Sequence, residues 1–481
     1  MNHKKAAYIL FLSVWITLSL FGSQPASAQT VIIVNITTDS IVDDGQCSLR
    51  EAVIAANTDS ATGGCPAGSG ADVIQFDSSL PIPATFLLTM NGANEDNSAS
   101  GDLDLQGILT IQGSSAIQII IDGNNTDRVF EVRPGATITL SNLTIRNGNP
   151  GSGANGGGIL VTGGTPRSKI TLINSLIMNN TATSGGGIQN LGNGANAVIE
   201  NTLISSNTAT VNGGGISNTG SFSILNSTLT QNTARSGGAV DHAGFSMNLT
   251  NTTISGNSAS DNGGGIYNRA DAILLNVTLF GNTANGIDTG GNIFNDTASL
   301  SIKNSIVTNS DIEGNCFNSE GIINSQGNNL ESGDTCEFTN TGDKVNTDPL
   351  LGNLQDNFGS TFTHALLADS PAIDQGDNAN CPKFDQRGFS RPADGDGNGE
   401  AVCDIGAFEL GGIEPTSTAT SQPVITPSST FTPTETTDIT STPSASMTPV
   451  ITPTPTPQIP PCSSASILLI ALFLLMRPHY R

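Results

Sequence analysis

The pair Asp241-His242 carries the residue types best suited to chemistry in the central part of this sequence. It ends the segment SGGAVDH, and four similar segments (SGGGIQN, NGGGISN, NGGGIYN and GGNIFN) end in asparagine instead. A carboxylate and an imidazole, with Arg235 and Arg269 near equivalent positions of the repeat, could act as acid, base and cation on a uronic-acid polymer. This interpretation makes Asp241, His242 and Arg235 the candidate catalytic residues.

The surrounding sequence favours a structural role for the same pair. A calcium-dependent lyase is expected to gather several carboxylates, but the acidic residues between positions 174 and 282 are scattered: Glu200, Asp241, Asp261 and Asp271. Histidine can also replace asparagine at a repeated corner without any catalytic purpose. Catalysis at Asp241-His242 therefore stands as the alternative to a structural substitution.

The segment RPADGDGNGE, residues 391–400, raises the question of a metal. Asp394, Asp396 and Asn398 occupy positions one, three and five of a calcium-loop pattern, with a glycine at position six. The twelfth position is Ile405 where an EF-hand has glutamate, so the segment is not an EF-hand. Asp404 could be a further ligand. Calcium binding and a solvated acidic turn are the two interpretations of this segment.

Six cysteines of the presumed folded region fall into close pairs, namely Cys47 with Cys65, Cys316 with Cys336, and Cys381 with Cys403. An even number of cysteines in an exported chain indicates disulfide bonds, and proximity suggests this pairing. Metal ligation is the alternative, but neither a CxxC spacing nor a nearby histidine supports it.

A repeat of constant length must position these residues. Asn174, Asn201, Asn226, Asn251 and Asn276 follow one another in steps of 27, 25, 25 and 25 residues, and in each copy a second asparagine follows six positions later. A fixed period in this range is typical of a solenoid. Each period holds short alternating runs such as FSILNSTLT, which predict strands with one buried face.

These features predict an all-β protein built as a parallel β-helix. Successive turns would pair along the axis at about 4.8 Å. The aliphatic residue after each glycine group would point inward and stack on its equivalent in the next turn. These residues are Ile159, Ile188, Ile216, Val240, Ile266 and Ile293. Asparagine tolerates the left-handed backbone conformation, and stacked amides can bond along the coil.

Two terminal motifs and the repeats carry a resemblance to known proteins. The glycine and asparagine repeats are similar to those of bacterial right-handed parallel β-helix proteins, including polymorphic outer-membrane proteins. CSLREAVIAAN, residues 47–57, resembles the CSLREA motif that begins such secreted proteins. Residues 370–409, from SPAIDQGD to CDIGAFE, resemble the choice-of-anchor Q domain. The resemblance implies a right-handed parallel β-helix, a pectin-lyase-like solenoid, in a surface protein, and no defined reaction.

The same N-terminal motif predicts a helix that covers the open end of the coil. Ser48 and Glu51 form a capping-box pattern, and Leu49, Ala52 and Val53 lie on one apolar face. The C-terminal module, residues 341–412, is expected to close the other end, with a short strand in ADSPAIDQG and another in CDIGAFE. Between the two lies the β-helix, residues 71–340, preceded by the cap region, residues 29–70.

The remaining segments predict export and attachment. Residues 1–28 resemble a signal peptide, with Lys4 and Lys5, an apolar stretch and an A-x-A site. Residues 413–462 are rich in threonine, proline and serine and predict a disordered stalk. Residues 463–481 combine an apolar run with a basic end, which predicts either a sorting signal or a weak membrane anchor. The chain is thus expected to be secreted, and extracellular or anchored to the cell envelope through this tail.

Charge and composition limit the classes of binding partner that the chain can have. The formal net charge is −24, so nucleic acid is excluded as a partner because an acidic surface repels phosphates. The one tryptophan lies in the signal-like segment, which argues against a tryptophan-lined sugar cleft. We therefore expect a non-catalytic rod, adhesive or structural, that binds an extracellular polysaccharide or a surface protein. The alternative is a polysaccharide lyase or hydrolase of the pectin-lyase-like class, and calcium is the one cofactor suggested.

Overall fold

The computed structural model describes residues 29–92, 95–286, 288–308 and 314–414. The strands before the repeats are β1 Thr30–Val34, β2 Ala71–Phe76, β3 Ala84–Leu87, β4 Leu103–Leu105, β5 Ile108–Gln112, β6 Ile119–Asp122, β7 Phe130–Val132, β8 Thr137–Ser141 and β9 Thr144–Arg146. The described residues contain one α-helix, α1 Leu49–Thr58, which lies between β1 and β2. A short 3₁₀ turn occupies Asn378–Asn380.

The repeats supply most of the remaining strands. They are β10 Ile159–Thr162, β11 Ser168–Ile173, β12 Leu176–Met178, β13 Thr181–Ser184, β14 Ile188–Leu191, β15 Ala195–Glu200, β16 Leu203–Ser205, β17 Thr208–Asn212, β18 Ile216–Asn218, β19 Ser221–Leu225, β20 Thr228–Thr230, β21 Thr233–Ala234, β22 Val240–His242, β23 Ser246–Ser255, β24 Ser258–Ala259, β25 Ile266–Asn268, β26 Ala272–Phe280, β27 Thr283–Ala284, β28 Ile293–Asn295, β29 Ser299–Lys303, β30 Ile306–Thr308, β31 Cys316–Asn318, β32 Ile322–Ser325 and β33 Leu330–Glu331. The C-terminal module adds β34 Leu351–Gln355 and β35 Thr363–Leu366.

These strands coil into a parallel β-helix, which confirms the predicted fold class. Three sheets of 19, nine and five strands run along the coil, and every strand pair within them is parallel. The antiparallel pair β34–β35 belongs to the C-terminal module. The nine-stranded sheet contains the glycine-aliphatic segments, in the order β4, β7, β10, β14, β18, β22, β25, β28 and β31.

The predicted aliphatic stack forms the wall of the core behind this sheet. Ile159 pairs with Ile188, and the register continues through Ile216, Val240 and Ile266 to Ile293. Each of these side chains is at most 1% exposed. Short strands that could not bury enough surface alone are thus stabilised by stacking on their neighbours along the axis.

Two series of asparagines hold the corners, as the repeat predicts. The first series, which includes Asn174, Asn201 and Asn226, has φ near +50° in each case. The second series is buried and bonds along the axis: the side-chain amide of Asn207 donates to Asn232 Oδ1 at 3.0 Å, and that of Asn232 to Asn257 Oδ1 at 2.9 Å. The amide of Asn207 also donates to the backbone carbonyl oxygen of Ile177, and that of Asn232 to the carbonyl oxygen of Ile204. These buried polar groups are therefore satisfied.

The N-terminal end is covered by α1, as predicted. Ser48 and Glu51 form the complete capping box, and Leu49, Ala52 and Val53 are buried. Arg50 is also fully buried, because its guanidinium donates to Asp39 and to the carbonyl oxygens of residues 98, 101 and 102. The disulfide between Cys47 and Cys65 fixes the ends of this cap.

The C-terminal module differs from the expectation that it closes the far end of the coil. Its buried Gln386 bonds to Thr228 and Thr253, and the backbone of Gly406 contacts Asn276 and Asn304. The module thus packs against the side of the coil, where the turns expose backbone and amide groups that need partners. At the far end, the Cys316–Cys336 disulfide and Phe338 join the core.

The prediction of two short strands within this module is wrong. Residues 370–376 and 403–409 form turns and extended segments, whose backbone groups bond to one another and to the coil. Cys381 and Cys403 form the third predicted disulfide.

The predicted signal peptide, the tail, and all but the first two residues of the predicted stalk lie outside the described residues. In the part of the chain that the structure describes, no helix is long and apolar enough to cross a membrane.

Candidate functional site

The outer face of the nine-stranded sheet brings the candidate residues into one line. Because neighbouring side chains in a strand alternate between faces, the middle residue of each strand points away from the core. The strand register aligns these middle residues in one column, which we call the outer column: Asp104, Glu131, Leu160, Gln189, Ser217, Asp241, Tyr267, Phe294 and Phe317. The column therefore has an acidic end, a polar centre and an aromatic end.

Asp241 lies in the polar centre, and its charge is already compensated. Arg269, in the next turn of the coil, places Nη2 at 2.6 Å and 2.8 Å from the two carboxylate oxygens of Asp241. The Asp241 side chain is 1% exposed. Burial raises the pKa of this carboxyl, and the Arg269 guanidinium opposes the rise. A buried, ion-paired carboxylate is poorly placed to accept a proton from a bound polymer.

His242 points the other way, into the coil. Its Nδ1 lies 2.9 Å from the side-chain amide of Asn218, and its Nε2 lies 3.2 Å from the carbonyl oxygen of Asp271. Both ring nitrogens are thus engaged, and burial lowers the pKa of His242 to about 4. The alternation of side chains in β22 places Asp241 and His242 on opposite faces of the sheet. They do not share a groove, as the catalytic interpretation requires.

Arg235, the third catalytic candidate, is placed elsewhere. It follows β21 in the five-stranded sheet, and its exposed guanidinium lies 3.5 Å from Asp261. The structure therefore separates the three candidates, and the cation that accompanies Asp241 is Arg269.

The aromatic end of the outer column is a continuous row of three rings, which we call the aromatic stack. Tyr267 and Phe294 meet edge to face at 68°, and Phe294 and Phe317 are tilted by 30°. The ring centroids of Tyr267 and Phe294 are 5.3 Å apart, as are those of Phe294 and Phe317. Tyr267 and Phe317 are half-buried, whereas Phe294 between them is buried. The Arg269 guanidinium lies 4.9 Å from the centroid of the Tyr267 ring. Tyr267 and Phe294 belong to the repeated segments NGGGIYN and GGNIFN, whereas Phe317 follows a segment without the glycine group.

The acidic end of the column was missed by the sequence analysis. Asp104 and Glu131 lie in strands that lack both the glycine group and the terminal asparagine, so the repeat does not align them with Asp241. Burial raises the pKa of Asp104 to about 6. Asp241 is thus one of three carboxylates of the outer column.

The calcium-loop segment gathers a different group from the one predicted. Asp394 and Asp396 are exposed and lie with the buried Asp374, such that one carboxylate oxygen of each is within 4.8 Å of the others. The predicted ligand Asp404 is not in this group, because its carboxylate oxygens accept from the backbone N–H groups of Asp374 and Leu410. Burial, and then the neighbouring Glu409, raise the pKa of Asp404 to about 8.

Hydrogen bonds from within the loop already occupy many of the carboxylate oxygens of this group. Asp394 accepts hydrogen bonds from the backbone N–H groups of residues 397 and 399, and Asp374 from those of residues 395 and 396. The side-chain amide of Asn398 donates to Asp396. Asp374, Asp394 and Asp396 have the oxygen chemistry that calcium prefers, but the same bonds describe an acidic turn that supports itself.

A cavity of about 630 Å³ adjoins this loop. Asp396, Gln375, Ser370 and Lys344 contribute polar groups to its lining. None of the described residues that line it is aromatic, in contrast to the outer column.

Together, the coil and its stacked columns define a parallel β-helix protein of the repeat-solenoid class. Residues 251–269, which span the end of β23 to the residue after β25, match the Chlamydia polymorphic membrane protein (Chlamydia_PMP) repeat. The crystal structure of pectate lyase Pel9A is similar with a TM-score of 0.41 and 12% sequence identity, over 79% of this chain and 96% of that one. No curated protein matches the chain.

Proposed function

We propose that this chain is a surface-displayed or secreted β-helix rod that binds an extracellular polysaccharide without cleaving it. The observation that carries the proposal is the aromatic stack of Tyr267, Phe294 and Phe317 on the outer face of the coil, with centroid spacings of 5.3 Å. Aromatic faces offer large apolar surfaces with a defined geometry. The C–H face of a sugar ring can pack on such a surface, and a row of rings suits a linear chain of sugars.

The polar groups near the stack suit a strongly hydroxylated polymer. The Arg269 guanidinium, whose side chain is 32% exposed, lies beside Tyr267 and carries hydrogen-bond donors at the edge of the stack. The Tyr267 hydroxyl lies 3.5 Å from Asp296 Oδ2, so a carboxylate acceptor is also present there. These groups could fix the orientation of a sugar chain along the column.

Surface display draws support from the sequence. The segment resembling a signal peptide, the CSLREA-like cap, the choice-of-anchor-Q-like module and the threonine- and proline-rich segment together agree with an exported, attached rod. The match of residues 251–269 to a polymorphic membrane protein repeat agrees with the same role.

Non-catalytic binding fits the geometry better than lyase or hydrolase action at the predicted residues. His242 lies inside the coil and Asp241 is buried against Arg269. His242 cannot reach a polymer on the outer face without a rearrangement of the sheet, and Asp241 cannot do so without release from Arg269.

The test is a binding and cleavage assay with a panel of neutral and acidic polysaccharides, with calcium present. Binding is measured by affinity electrophoresis and polymer length by size-exclusion chromatography. The variants Tyr267→Ser and Phe317→Ser should weaken binding at least tenfold. Serine occupies the same column at Ser217, so the strand geometry accepts it. The matched control is Phe358→Ser, which removes an aromatic ring that is 82% exposed in the C-terminal module.

Three results would contradict the proposal. Equal binding by the wild type and the Phe317→Ser variant would move the binding site away from the stack. Shortening of a polymer by the wild type, abolished in a His242→Asn variant, would establish the enzymatic alternative. Absence of binding to every polymer would leave a surface protein as the partner to be sought.

A further inference from the structure

Three carboxylates converge where the acidic end of the outer column meets the N-terminal cap. One oxygen each of Asp102, Asp104 and Glu131 lies within 4.8 Å of the other two. Oxygens that bind a calcium ion lie about 2.3–2.6 Å from it, so two oxygens of one ion are at most about 5 Å apart. The spacing of the three side chains therefore fits a single shared cation.

Asp104 points to a ligand independently of the cluster. Its side chain is fully buried, and Oδ2 accepts a hydrogen bond from the backbone N–H of Ser98 at 3.0 Å. For Oδ1, no residue that the structure describes supplies a hydrogen bond. The nearest ion-pair partner of Oδ1 is Arg133, whose Nη1 lies 3.9 Å away. A buried carboxylate oxygen without a donor is costly, and a cation in the cluster would remove that cost.

Two arginines compensate the cluster only in part. Arg128 Nη1 lies 3.2 Å from Asp102 and 2.5 Å from Glu131, and Arg133 Nη1 lies 2.7 Å from Glu131. Arg133 also pairs with Asp96, a fourth carboxylate at 2.8 Å. The side chains of Arg128 and Arg133 are 15% and 25% exposed, so each borders solvent. A small divalent cation could enter between the carboxylates while the arginines keep contact with their outer oxygens.

We infer that Asp102, Asp104 and Glu131 form a binding site for a hard divalent cation, best matched by calcium. Oxygen-only ligands of this kind suit calcium, and sites in extracellular modules bind it with dissociation constants on the order of 10⁻⁴–10⁻³ M. The site lies apart in sequence from the calcium-loop segment, residues 391–400, and uses none of its residues.

The position of the site gives the cation a structural task. The carbonyl oxygens of Ser98, Gly101 and Asp102 accept hydrogen bonds from Arg50 of the cap helix. Asp104 lies in β4 and Glu131 in β7. A calcium ion would therefore join the loop beneath the cap to the first two strands of the nine-stranded sheet, and would stabilise the N-terminal end of the coil.

The experiment is calorimetric titration of the full chain with calcium after treatment with a chelator, together with thermal unfolding at rising calcium concentration. The variants are Asp104→Asn and Glu131→Gln, which keep the side-chain shape and remove one charge each. The matched control is the double variant Asp394→Asn, Asp396→Asn in the calcium-loop segment. We expect calcium to raise the unfolding temperature of the wild type and of the control. The Asp104→Asn and Glu131→Gln variants should bind calcium at the site of Asp102, Asp104 and Glu131 at least tenfold more weakly than the wild type does.

Failure of the wild type to bind calcium at millimolar concentration would overturn the inference. So would calcium binding that persists in both single variants and disappears only in the double control, because the ion would then belong to the loop. If Asp104→Asn does not fold, as judged by circular dichroism, the Glu131→Gln variant decides, since its side chain is less deeply buried.

Discussion

Arg269 contacts both carboxylate oxygens of Asp241 through one guanidinium nitrogen, although 28 residues separate the two in sequence. The coil makes this contact local, because Asp241 pairs with Tyr267 in the next turn and Arg269 lies two residues further on. The ion pair neutralises the polar centre of the outer column. It also holds the Arg269 guanidinium beside the Tyr267 ring, at the edge of the aromatic stack.

Loss of Arg269 should therefore cost more than loss of Asp241. Arg269→Ala leaves a buried carboxylate without its partner, and breaking a buried pair in this way costs about 3–5 kcal/mol. Asp241→Ser introduces serine, the residue type that the column already has at Ser217 in the preceding turn. It leaves Arg269 without its partner, but this arginine is partly exposed, so water can solvate its charge. We expect urea unfolding to show a clearly larger loss for Arg269→Ala. Equal losses in the two variants would mean that Asp241 does not depend on Arg269.

The acid stability of the protein should depend on His242. Burial lowers the pKa of His242 to about 4 in the folded chain, against about 6.5 for an exposed histidine. The unfolded chain thus binds more protons between these values. The contribution of His242 is present in full above about pH 6.5 and is lost as the pH falls toward 4, by at most about 3 kcal/mol.

The variant His242→Asn isolates this effect. Asparagine at this position restores the series that runs from Asn190 and Asn218 to Asn268, and Asn268 Oδ1, which has no hydrogen-bond donor among the described residues, would gain one. We expect the variant to be at least as stable as the wild type at pH 7 and to lose less stability between pH 6.5 and 4. Parallel pH profiles of the unfolding temperature would show that His242 does not titrate in this range.

The repeat explains why the centre of the coil could be predicted and its ends could not. The glycine groups and the two asparagine series recur at nearly constant spacing, so the register of Ile188, Ile216 and Val240 can be read from the sequence. The same register shows that His242 faces inward, two positions after an inward Val240, a consequence that the catalytic interpretation overlooked. Glu131 and Asp104 lie in turns of irregular length, and their alignment with Asp241 depends on strand pairing that no motif marks.

No local sequence pattern predicted how the C-terminal module packs on the coil either. Gln386 meets Thr253 across 133 residues, through side-chain hydrogen bonds that leave no periodic pattern in the sequence. Likewise, the calcium-loop pattern correctly predicted that Asp394 and Asp396 lie close together. It could not find Asp374, which reaches the loop from 20 residues upstream.

The buried asparagine series should be a main source of rigidity. Asn232 Oδ1 accepts from both the backbone and the side chain of Asn207, and its amide donates to Asn257 and to the carbonyl oxygen of Ile204. Asn232→Ala leaves several buried polar groups without partners, at about 1–3 kcal/mol for each unsatisfied group. We expect a loss of at least about 2 kcal/mol in urea unfolding. The matched control, Asn193→Ala on an exposed turn, should change stability by less than about 0.5 kcal/mol.

The docking of the C-terminal module should depend on Gln386. This side chain is 1% exposed, and its amide donates to Thr228, Thr361 and the carbonyl oxygen of Phe362 while its oxygen accepts from Thr253. Gln386→Ala therefore removes bonds within the module and between the module and the coil, without touching the core of the coil. We expect faster amide hydrogen exchange in residues 351–366 and 384–410, with exchange in β14 and β18 unchanged. The control is Gln375→Ala, an exposed residue of the same module whose side-chain amide donates to the neighbouring carbonyl oxygen of Asp374. If exchange rose equally in the module and in β14 and β18, the module and the coil would unfold as one cooperative unit, and Gln386 would not be specific to docking.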